Sequence, residues 1–408
     1  MKVLHLGKYF PPYRGGMETY LCDLMVALKQ LGIECSALVH RSEISYRSTH
    51  ESIVADNTPV SVTRAAMWAR LVFTPISPTF PYLLAKRIKR DQPDMLHIHM
   101  PNISAFWALL LPSARRLPWI VHWHSDVLLS EHSLGLRVFY RVYRPFESAM
   151  LRRSSRIIVT SPPYLEASAR LAPFRDKCTV VPLGIRSRAD CTHQGLERSH
   201  QENQTSQSGA AVSSKVTQTL QVLAIGRLTY YKGLQYLIKA IAQTSDTRLD
   251  LVGSGEKEAE LRAIAASLGV TDRIHFRGNI DNGTLAELLA ICDCLCLPSV
   301  ERTEAFGLVL LEAMSHSKAT ITSQLTGSGM SWVVVEGVTG LTVPPKDVDA
   351  LAACLSIFQQ DRDNMLAMGK SGRERFDRYF QIDKSAVTVA ELYQRSYEHR
   401  ASNCDQDS

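Results

Sequence analysis

Residues 2–31 of the chain read KVLHLGKYFPPYRGGMETYLCDLMVALKQL and carry the pattern that decides the fold. The apolar run at the start of this stretch predicts a buried β-strand, and the prolines and glycines in its middle predict a loop. Its second half carries an amphipathic helix pattern, with apolar residues at the i, i+3, i+4 and i+7 positions Leu21, Leu24, Met25 and Leu28. A strand, a loop and a helix in this order form the repeating unit of an α/β protein.

The same unit recurs along two stretches of the chain. In the first stretch we predict strands at residues 2–6, 34–40, 95–99, 120–124, 156–160 and 180–183. In the second we predict strands at residues 222–225, 249–252, 273–277 and 294–298, with helices at residues 256–268 and 282–291. Strands that alternate with helices predict a parallel sheet covered on both faces, so the sequence indicates an α/β fold with two doubly wound modules.

A polar segment separates the two modules. Residues 187–219 are dominated by Ser, Thr, Gln, Asn, Gly and charged residues, so they cannot bury enough apolar surface to offset their ordering entropy. We therefore predict a flexible linker there, a first domain at residues 1–186 and a second domain at residues 220–372. Residues 373–400 are predicted to be an amphipathic helical segment that crosses back to the first domain.

The composition excludes several classes of protein. Of 408 residues, 45% are hydrophobic and 21% charged, which excludes wholesale disorder and fibrous architectures. No apolar run reaches the ~18–20 residues of a membrane-spanning helix, and the longest, 103–111 and 119–121, are predicted to lie in the core. The start of the chain lacks the apolar region of a signal peptide, and nine irregularly spaced cysteines are typical of reduced thiols. We therefore expect a soluble cytoplasmic protein.

The charge is unevenly distributed along the chain. Residues 1–190 contain 25 Lys and Arg against 14 Asp and Glu, whereas the remainder contains 21 against 26. A basic first half could face nucleic acid, an anionic membrane surface or a phosphorylated lipid, or could be solvated charge with no partner. Because the basic residues are dispersed and no recognition-helix pattern accompanies them, we predict no nucleic-acid partner.

Two carboxylates follow the strand predicted at residues 294–298, in the sequence EAFGLVLLE from Glu304 to Glu312. Gly307 and the apolar residues after it predict a loop that enters a buried helix. Eight residues of continuous helix would separate the two carboxylates by ~12 Å, so both face one ligand only if Glu304 lies in the loop. A carboxylate in apolar surroundings needs hydrogen-bond donors, which a ribose diol supplies. The alternative is a glutamate that pairs with a Lys or Arg or points to solvent.

Two cations lie in the loop after the strand predicted at residues 222–225, which reads GRLTYYKG from Gly226 to Gly233. Arg227 offers a planar fork of donors and Lys232 a point charge, so both can converge on a diphosphate. There they would stabilise the negative charge that develops on a departing phosphate. The alternative is a pair of solvent-exposed loop cations.

Glycines precede two further predicted helices. Gly15 and Gly16 would let backbone N–H groups approach an anion at the start of the first helix, although paired glycines are also ordinary turn residues. Gly253 follows the strand at residues 249–252 in a similar loop. The third glycine and downstream acid of a dinucleotide fingerprint are missing, so we predict no NAD site.

Four histidines alternate on two predicted strands, at His97, His99, His122 and His124, so each pair lies on one face of its strand. No Cys or carboxylate accompanies them at ligand-like spacing, and we predict no metal. The first three are predicted to be packed, hydrogen-bonded core residues. His124, two residues before Asp126 at a strand end, is placed to bond a sugar or an acceptor.

As a set, these motifs resemble the retaining glycosyltransferases of family 4. The resemblance rests on the Glu-x7-Glu pair at 304–312, the Gly-Arg-Leu…Lys-Gly loop at 226–233, the Pro-Pro-x-x-Gly-Gly stretch at 11–16 and the His-x-Asp segment at 124–126. It covers residues 1 to about 380. It implies a GT-B fold, in which two Rossmann-like domains face a central cleft and the second domain holds a nucleotide-sugar donor.

The resemblance also implies roles in the second domain. Arg227 and Lys232 would bind the donor diphosphate, Glu312 the ribose hydroxyls, and Glu304 the donor sugar near its reacting end. The further donor-binding positions are expected at Gly226 and Gly253 and at the backbone amides around Phe306, Gly307 and Leu308.

In the first domain the resemblance places Gly15 and Gly16 against the diphosphate, His124 near the transferred sugar and Asp126 on the acceptor side. It implies retention of anomeric configuration without a metal or other cofactor. No side chain is an obvious nucleophile, so same-face attack is expected, with the leaving phosphate accepting the acceptor's proton.

The leading hypothesis is therefore transfer of a hexose from a UDP- or GDP-linked donor to a glycan or lipid-linked glycan of a bacterial surface polysaccharide, such as lipopolysaccharide. The basic first half favours peripheral contact with the anionic cytoplasmic face of the inner membrane. Two alternatives keep the fold: a phosphorylase or a nucleotide-sugar epimerase. A third is a non-catalytic protein that binds nucleotide sugars, in which Glu304 and Glu312 are structural.

Overall fold

The structure, a computed structural model, describes residues 1–13, 15–71, 74–127, 134–187 and 219–406, with the backbone alone at 134–138 and 399–406. The linker predicted at 187–219 lies outside the described residues except at its two ends. The chain divides into two compact units. The first comprises Met1–Gly184 with Ile382–Ser408, and the second comprises Ile185–Gln381.

The first unit is built on a mainly parallel sheet. The strands of this unit are β1 (Lys2–Leu6), β2 (Glu34–His40), β3 (Thr49–Ala55), β4 (Thr58–Ala65), β5 (Ala69–Leu71), β6 (Thr74–Ile76), β7 (Met95–Met100), β8 (Trp119–Trp123), β9 (Arg156–Val159) and β10 (Cys178–Val180). Strands β5 and β6 pair with each other in a separate hairpin, and the other eight form the sheet. Its helices up to the second unit are α1 (Gly16–Gln30), α2 (Phe80–Asp91), α3 (Trp107–Leu110), α4 (Pro112–Arg115), α5 (Leu134–Arg153) and α6 (Pro162–Ala167), with 3₁₀ turns at Ile103–Phe106 and Ala172–Lys177.

The strand order in this sheet is β10-β9-β8-β7-β1-β2-β4-β3, and all neighbours are parallel except the hairpin β3–β4. The central strands β7 and β8 are buried at every position, as expected of parallel strands with helices on both faces. The chain runs outward from β1 to one side through β2 and to the other through β7. The order therefore reverses between β1 and β7.

The second unit is a fully parallel sheet. Its strands are β11 (Leu220–Ile225), β12 (Thr247–Val252), β13 (Ile274–Gly278), β14 (Cys294–Leu297), β15 (Ala319–Ser323) and β16 (Gly340–Val343). Its helices are α7 (Leu234–Gln243), α8 (Glu258–Ser267), α9 (Asn282–Ile291), α10 (Leu308–Ser315), α11 (Met330–Val333), α12 (Val348–Gln360) and α13 (Arg362–Tyr379), with 3₁₀ turns at Tyr230–Lys232 and Thr271–Arg273.

The order β13-β12-β11-β14-β15-β16 is the Rossmann order 3-2-1-4-5-6. The predicted doubly wound fold is therefore present in the second unit. Its order reverses between β11 and β14, and ligands of such sheets bind beyond the carboxyl ends of the strands at this point. The loops that begin at Gly226 and Pro298 leave the sheet there.

The end of the chain differs from the prediction of one helical segment at 373–400. Helix α13 ends at Tyr379 in the second unit, and a separate helix, α14 (Ile382–Gln406), belongs to the first unit. Within the first unit α14 contacts α1, and Tyr393 of α14 is fully buried.

Most predicted elements are found within two or three residues of their expected bounds. The strand at 34–40 and the helix at 282–291 agree at both ends. The strand predicted at 180–183 lies earlier in the chain, because β10 spans Cys178–Val180. Pro182 lacks the N–H group that a further ladder bond would need.

The predicted core position of residues 119–121 is confirmed, whereas that of residues 103–111 is partly wrong. Trp119 is fully buried, but Trp107 is 42% and Leu110 63% exposed. Among the described residues, no helix combines the length and the apolar character that a membrane span requires.

Candidate functional site

Two loops meet at the point where the strand order of the second unit reverses. The loop after β11 places Gly233 against the loop after β14, and a Cβ atom on Gly233 would lie 2.0 Å from the carbonyl oxygen of Pro298. The Val300 N–H group donates to the Tyr231 carbonyl at 2.7 Å, which ties the two loops together. Gly233 has φ of 67°, a left-handed conformation that glycine adopts without strain.

This approach brings together two residues that the sequence singled out. The Lys232 ammonium forms an ion pair with Glu304, with Nζ and Oε2 2.5 Å apart. The two side chains are 10% and 13% exposed. Ser299 Oγ donates to the same carboxylate oxygen at 3.3 Å, and Ser328 Oγ donates to the Glu304 carbonyl at 2.5 Å. Sequence reasoning missed both serines, because only the folded loops place them beside Glu304.

Lys232 remains charged despite its burial. Burial by itself would lower the pKa of the ammonium, but the Glu304 carboxylate offsets this and holds the pKa above its ordinary value. The positive charge of Arg227 acts on the same ammonium in the opposite direction, which indicates that the two cations are near each other. The loop therefore presents fixed positive charge at the strand ends.

Glycines let the neighbouring loops approach Lys232. Gly226 has φ of 154°, and a Cβ atom there would lie 3.0 Å from Cε of Lys232. Gly253, after β12, has φ of 129°, and a Cβ atom there would lie 2.0 Å from the carbonyl oxygen of Gly226. The Arg227 side chain is exposed. Both predicted glycines thus have a packing role at the candidate site.

The second predicted acid lies in the helix after β14. Gly307 caps α10 with φ of 79°, and Glu304 precedes that cap in the loop. Glu312 is half-buried in the second turn of α10, so the two acids have the loop-and-helix placement that the sequence argument required. Phe306 is buried before the cap, and Leu308 begins the helix. The roles of these residues toward a donor stay predictions.

The paired glycines of the first unit lie at the start of α1. Gly15 is the N-cap residue, and Gly16 is the first residue of the helix. A Cβ atom on Gly15 would lie 2.3 Å from Oε2 of the buried Glu18, so the glutamate side chain folds back over the cap. The packing of Glu18 therefore explains a glycine at position 15 by itself, independently of the predicted approach to a diphosphate.

His124, the first residue after β8, belongs to an array of five stacked histidines whose other members lie on β1, β7 and β8. The members are His5, His97, His99, His122 and His124, all buried. His99 bonds His5 at 3.2 Å and His124 at 3.0 Å through its two ring nitrogens, and His97 Nδ1 bonds the Tyr393 hydroxyl at 2.5 Å. Burial lowers the pKa of His124 to about 3, so its imidazole is neutral at physiological pH.

The packed position predicted for His97, His99 and His122 is confirmed, but full hydrogen bonding is not. Neither ring nitrogen of His122 has a partner among the described residues. Sequence reasoning also missed His5, which lies on β1 directly beside His97 of β7.

Ring nitrogens of this array come within metal-binding range. Those of His99, His122 and His124 lie within 4.8 Å of one another, as do those of His5, His97 and His99. However, the rings of His122 and His124 stack at 4.3 Å with an interplanar angle of 1°. Imidazole lone pairs lie in the ring plane, so these parallel rings cannot direct them to one ion.

Asp126 lies just beyond β8 and is held by its own unit. The Trp123 indole and the Ser168 hydroxyl donate to its Oδ1 at 2.9 and 2.8 Å. A second buried acid, Glu147 on α5, accepts a bond from the Tyr140 hydroxyl at 3.1 Å. Burial raises the pKa of Glu147 to about 7. Sequence reasoning missed Glu147, which sits in an arginine-rich helix and resembles a surface residue.

The fold has solved counterparts. Sucrose-phosphate synthase (tll1590) from Thermosynechococcus elongatus has a TM-score of 0.77 at 22% identity, over 98% of this chain and 99% of that one. Anabaena Alr3699/HepE, solved in complex with UDP-glucose, has a TM-score of 0.68 at 19% identity, over 97% of this chain and 100% of that one. The predicted GT-B fold, with its two Rossmann-like units, is confirmed.

Sequence comparison defines the family. Residues 15–184 match the glycosyl transferase 4-like domain, and residues 210–375 match the glycosyl transferases group 1. The O-antigen chain mannosyltransferase C of Escherichia coli is 26% identical over 397 residues, 96% of this chain and 98% of that relative. The chain therefore belongs to the group 1 glycosyltransferases.

Proposed function

We propose that the chain is a retaining, metal-independent hexosyltransferase of bacterial surface polysaccharide biosynthesis. It moves a hexosyl unit from a UDP- or GDP-linked donor to a glycan or lipid-linked glycan acceptor. The observation that carries the proposal is the buried Lys232–Glu304 pair at the strand-order reversal of the second unit. The resemblance to an O-antigen mannosyltransferase and to a protein solved with UDP-glucose supports it.

The charges of the second unit suit a sugar diphosphate. The Lys232 ammonium has three N–H donors, of which one is directed at Glu304, so the others can bind phosphate oxygens. Arg227, exposed on the same loop, adds a planar guanidinium that suits a phosphate. Glu304, fixed by Lys232 and Ser299, is the group we assign to the donor sugar, and Glu312 is assigned to the ribose hydroxyls.

The reaction needs no side-chain nucleophile. The bond between the anomeric carbon and the diphosphate oxygen breaks, and the acceptor oxygen forms its bond on the same face of the sugar. The acceptor's proton passes to the leaving phosphate. Lys232 and Arg227 stabilise the charge that develops on that phosphate, which is the electrostatic work a divalent metal would otherwise perform.

The first unit supplies the acceptor side in this proposal. His124 is buried and neutral, so it can donate or accept one hydrogen bond without carrying charge toward the sugar. Gly15 and Gly16 are assigned to the diphosphate at the start of α1, which requires the Glu18 carboxylate to move off the cap, and Asp126 is assigned to the acceptor side. We place the protein on the cytoplasmic side of the membrane, because nucleotide sugars are made there.

The test is donor-dependent release of nucleoside diphosphate from a panel of UDP- and GDP-hexoses with glycan acceptors. Arg227→Ala and Glu312→Ala should each lower kcat/KM by about a hundredfold or more without unfolding the protein. The exposed Arg248→Ala and Glu287→Ala variants serve as matched controls and should keep wild-type turnover. Full turnover in both site variants would reject the mechanism.

Two further readouts separate the finer claims. Retention predicts that the anomeric proton coupling of the product matches that of the donor sugar by NMR. Metal independence predicts that EDTA leaves turnover unchanged. An inverted product or an EDTA-sensitive rate would contradict the respective claim and leave donor use intact.

A further inference from the structure

A surface groove of the first unit is lined by aliphatic and aromatic side chains. It runs between the segment at residues 103–110 and helix α5, and its volume is about 300 Å³. The lining residues are Ile103, Phe106, Trp107, Leu110, Phe139, Val142, Tyr143 and Phe146.

Half of these side chains extend into solvent. Leu110 and Val142 are 63% and 64% exposed, and Trp107 and Phe146 are 42% and 43% exposed. Scattered exposed apolar residues are normal, but four of them around one apolar groove form a patch of the kind that marks an interaction site. We call these four residues and the groove the apolar patch.

Arginines border the apolar patch. Arg115 and Arg116 are exposed at the end of α4, and Arg141, Arg152 and Arg153 are exposed on α5. At ~100° per helical residue, Arg153 lies on the same side of α5 as the patch residues, whereas Arg141 and Arg152 lie toward the opposite side. The Arg153 guanidinium donates to the carbonyl of Arg115, so it lies against the end of α4. The patch is thus continuous with positive charge.

Within residues 103–118 and 139–153, which carry the apolar patch and these arginines, no exposed acid neutralises the positive charge. Residues 103–118 contain no Asp or Glu, and residues 139–153 contain one, Glu147, which is 1% exposed. Among the described residues, Arg115 and Arg116 form no ion pair, whereas Arg262 in the second unit pairs with Glu258. The apolar patch and its neighbouring arginines therefore suit a partner that is both anionic and apolar.

We propose that the apolar patch and its arginines dock on the surface of an anionic phospholipid bilayer. Trp107 and Phe146 would lie at the boundary between headgroups and acyl chains, where aromatic side chains are favoured. Leu110 and Val142 would insert beyond them, and the arginines would bind lipid phosphates. A folded protein partner offers no comparable combination of a continuous anionic plane with apolar depth.

The proposed docking surface deepens the proposed function, because it names the part of the protein that contacts the membrane. It rests on that function only for which leaflet of the membrane is contacted. Its test needs neither donor nor acceptor. Failure of docking would therefore leave the assigned transfer reaction untouched, and failure of the reaction would leave docking untouched.

The first experiment measures binding of the full chain to vesicles of phosphatidylglycerol with phosphatidylcholine, against phosphatidylcholine alone. Binding should require the anionic lipid and fall as salt rises. Leu110→Glu/Val142→Glu should weaken binding by about tenfold or more, because each carboxylate opposes insertion and repels the lipid charge. The matched control, Ile291→Glu/Leu366→Glu, changes residues 70% and 61% exposed in the second unit and should bind as wild type.

The second experiment locates the contact. Lipids brominated in their acyl chains should quench tryptophan fluorescence on binding, and Trp107→Phe should remove most of that quenching. Equal binding to neutral vesicles, unchanged binding by the Leu110→Glu/Val142→Glu variant, or quenching that survives Trp107→Phe would each overturn the proposal. Concentration-dependent self-association abolished by the same double variant, without vesicle binding, would assign the surface to a second copy of the chain instead.

Discussion

The histidine array shows how single residues in this fold depart from ordinary core packing. His122 is fully buried, stacks on His124 at 4.3 Å and meets the edge of Tyr20 at 5.1 Å, yet neither of its ring nitrogens has a partner in the described chain. A neutral imidazole always carries one N–H group, and burying it unpaired costs about 1–3 kcal/mol. The array therefore retains a destabilising group.

His122→Phe should raise the free energy of unfolding by about 1 kcal/mol, because a phenyl ring keeps the stack and removes the unpaired N–H group. Urea unfolding measures this. His97→Phe is the matched control and should lower stability, since it leaves the buried Tyr393 hydroxyl without its bond to His97. A loss of stability in His122→Phe, with metal in the wild type by elemental analysis and none in the variant, would contradict the packing account.

Glu147 makes the stability of the protein depend on pH. Burial raises its pKa in the folded chain to about 7, while Tyr140 and the nearby Arg170 and Arg144 partly oppose this shift. Between the unfolded value near 4.5 and pH 7 the folded state binds more protons than the unfolded state. The stabilisation present at low pH is therefore lost as pH rises through this window.

Glu147→Gln should remove that slope, so the variant gains stability relative to wild type as pH rises from 5 to 8. The predicted relative gain is on the order of 3 kcal/mol. Urea unfolding at several pH values measures it, with the exposed Glu166→Gln as control. Parallel pH profiles for wild type and Glu147→Gln would show that burial does not perturb this carboxyl.

At the scale of elements, the loops after β11 and β14 form the candidate donor site because glycines let them touch. Gly233 and Gly269 have nearly the same φ, 67° and 68°, but only Gly233 has neighbours where a Cβ atom would lie. Comparing alanine substitutions at these two glycines therefore separates the cost of backbone strain from the cost of blocking the close approach of the two loops.

Gly233→Ala should weaken binding of a nucleoside diphosphate and destabilise the second unit by more than Gly269→Ala does. The second substitution introduces backbone strain of about 1 kcal/mol alone, whereas the first also pushes the loop at Pro298 away. Thermal unfolding with and without UDP or GDP measures both effects. Equal losses in the two variants would mean that the loop contact does not shape the site.

The elements show which parts of the fold the sequence could predict. Strands such as 34–40 were predictable because buried parallel strands are runs of apolar residues between turn residues. The β3–β4 hairpin was not predicted, although Asp56 and Asn57 have the positive φ values of a two-residue hairpin turn. Both strands carry polar residues on their exposed face, so their apolar pattern is too weak to predict strands from the sequence.

The candidate site was predictable in part for a physical reason. Parallel α/β sheets place ligand-binding loops at the carboxyl ends of strands, so residues after apolar strands could be named. The contact between Lys232 and Glu304 joins residues 72 positions apart and follows from the adjacency of β11 and β14. The alternation of strands and helices does not specify the order of the strands in the sheet, and no local sequence pattern predicts that β11 and β14 are neighbours.

At the scale of the whole molecule, two units with the same doubly wound plan carry different chemistry. The described first unit holds neutral histidines and an arginine-bordered apolar patch, and the second holds a buried ion pair at its strand-order reversal. The excess of basic residues in the first half of the sequence agrees with this difference. Donor chemistry and membrane docking are thus assigned to separate units.

The most direct measurement of the central claim is calorimetric titration of UDP and GDP into wild type and into Lys232→Met/Glu304→Gln. The double substitution removes both charges and keeps the packing, which avoids an unpaired buried carboxylate. Lys239→Met, on the exposed side of α7, is the control. We predict that wild type and control bind one nucleotide equally and that the double variant binds it at least about tenfold more weakly. Equal affinity in all three proteins would contradict the assignment of Lys232 to the donor diphosphate.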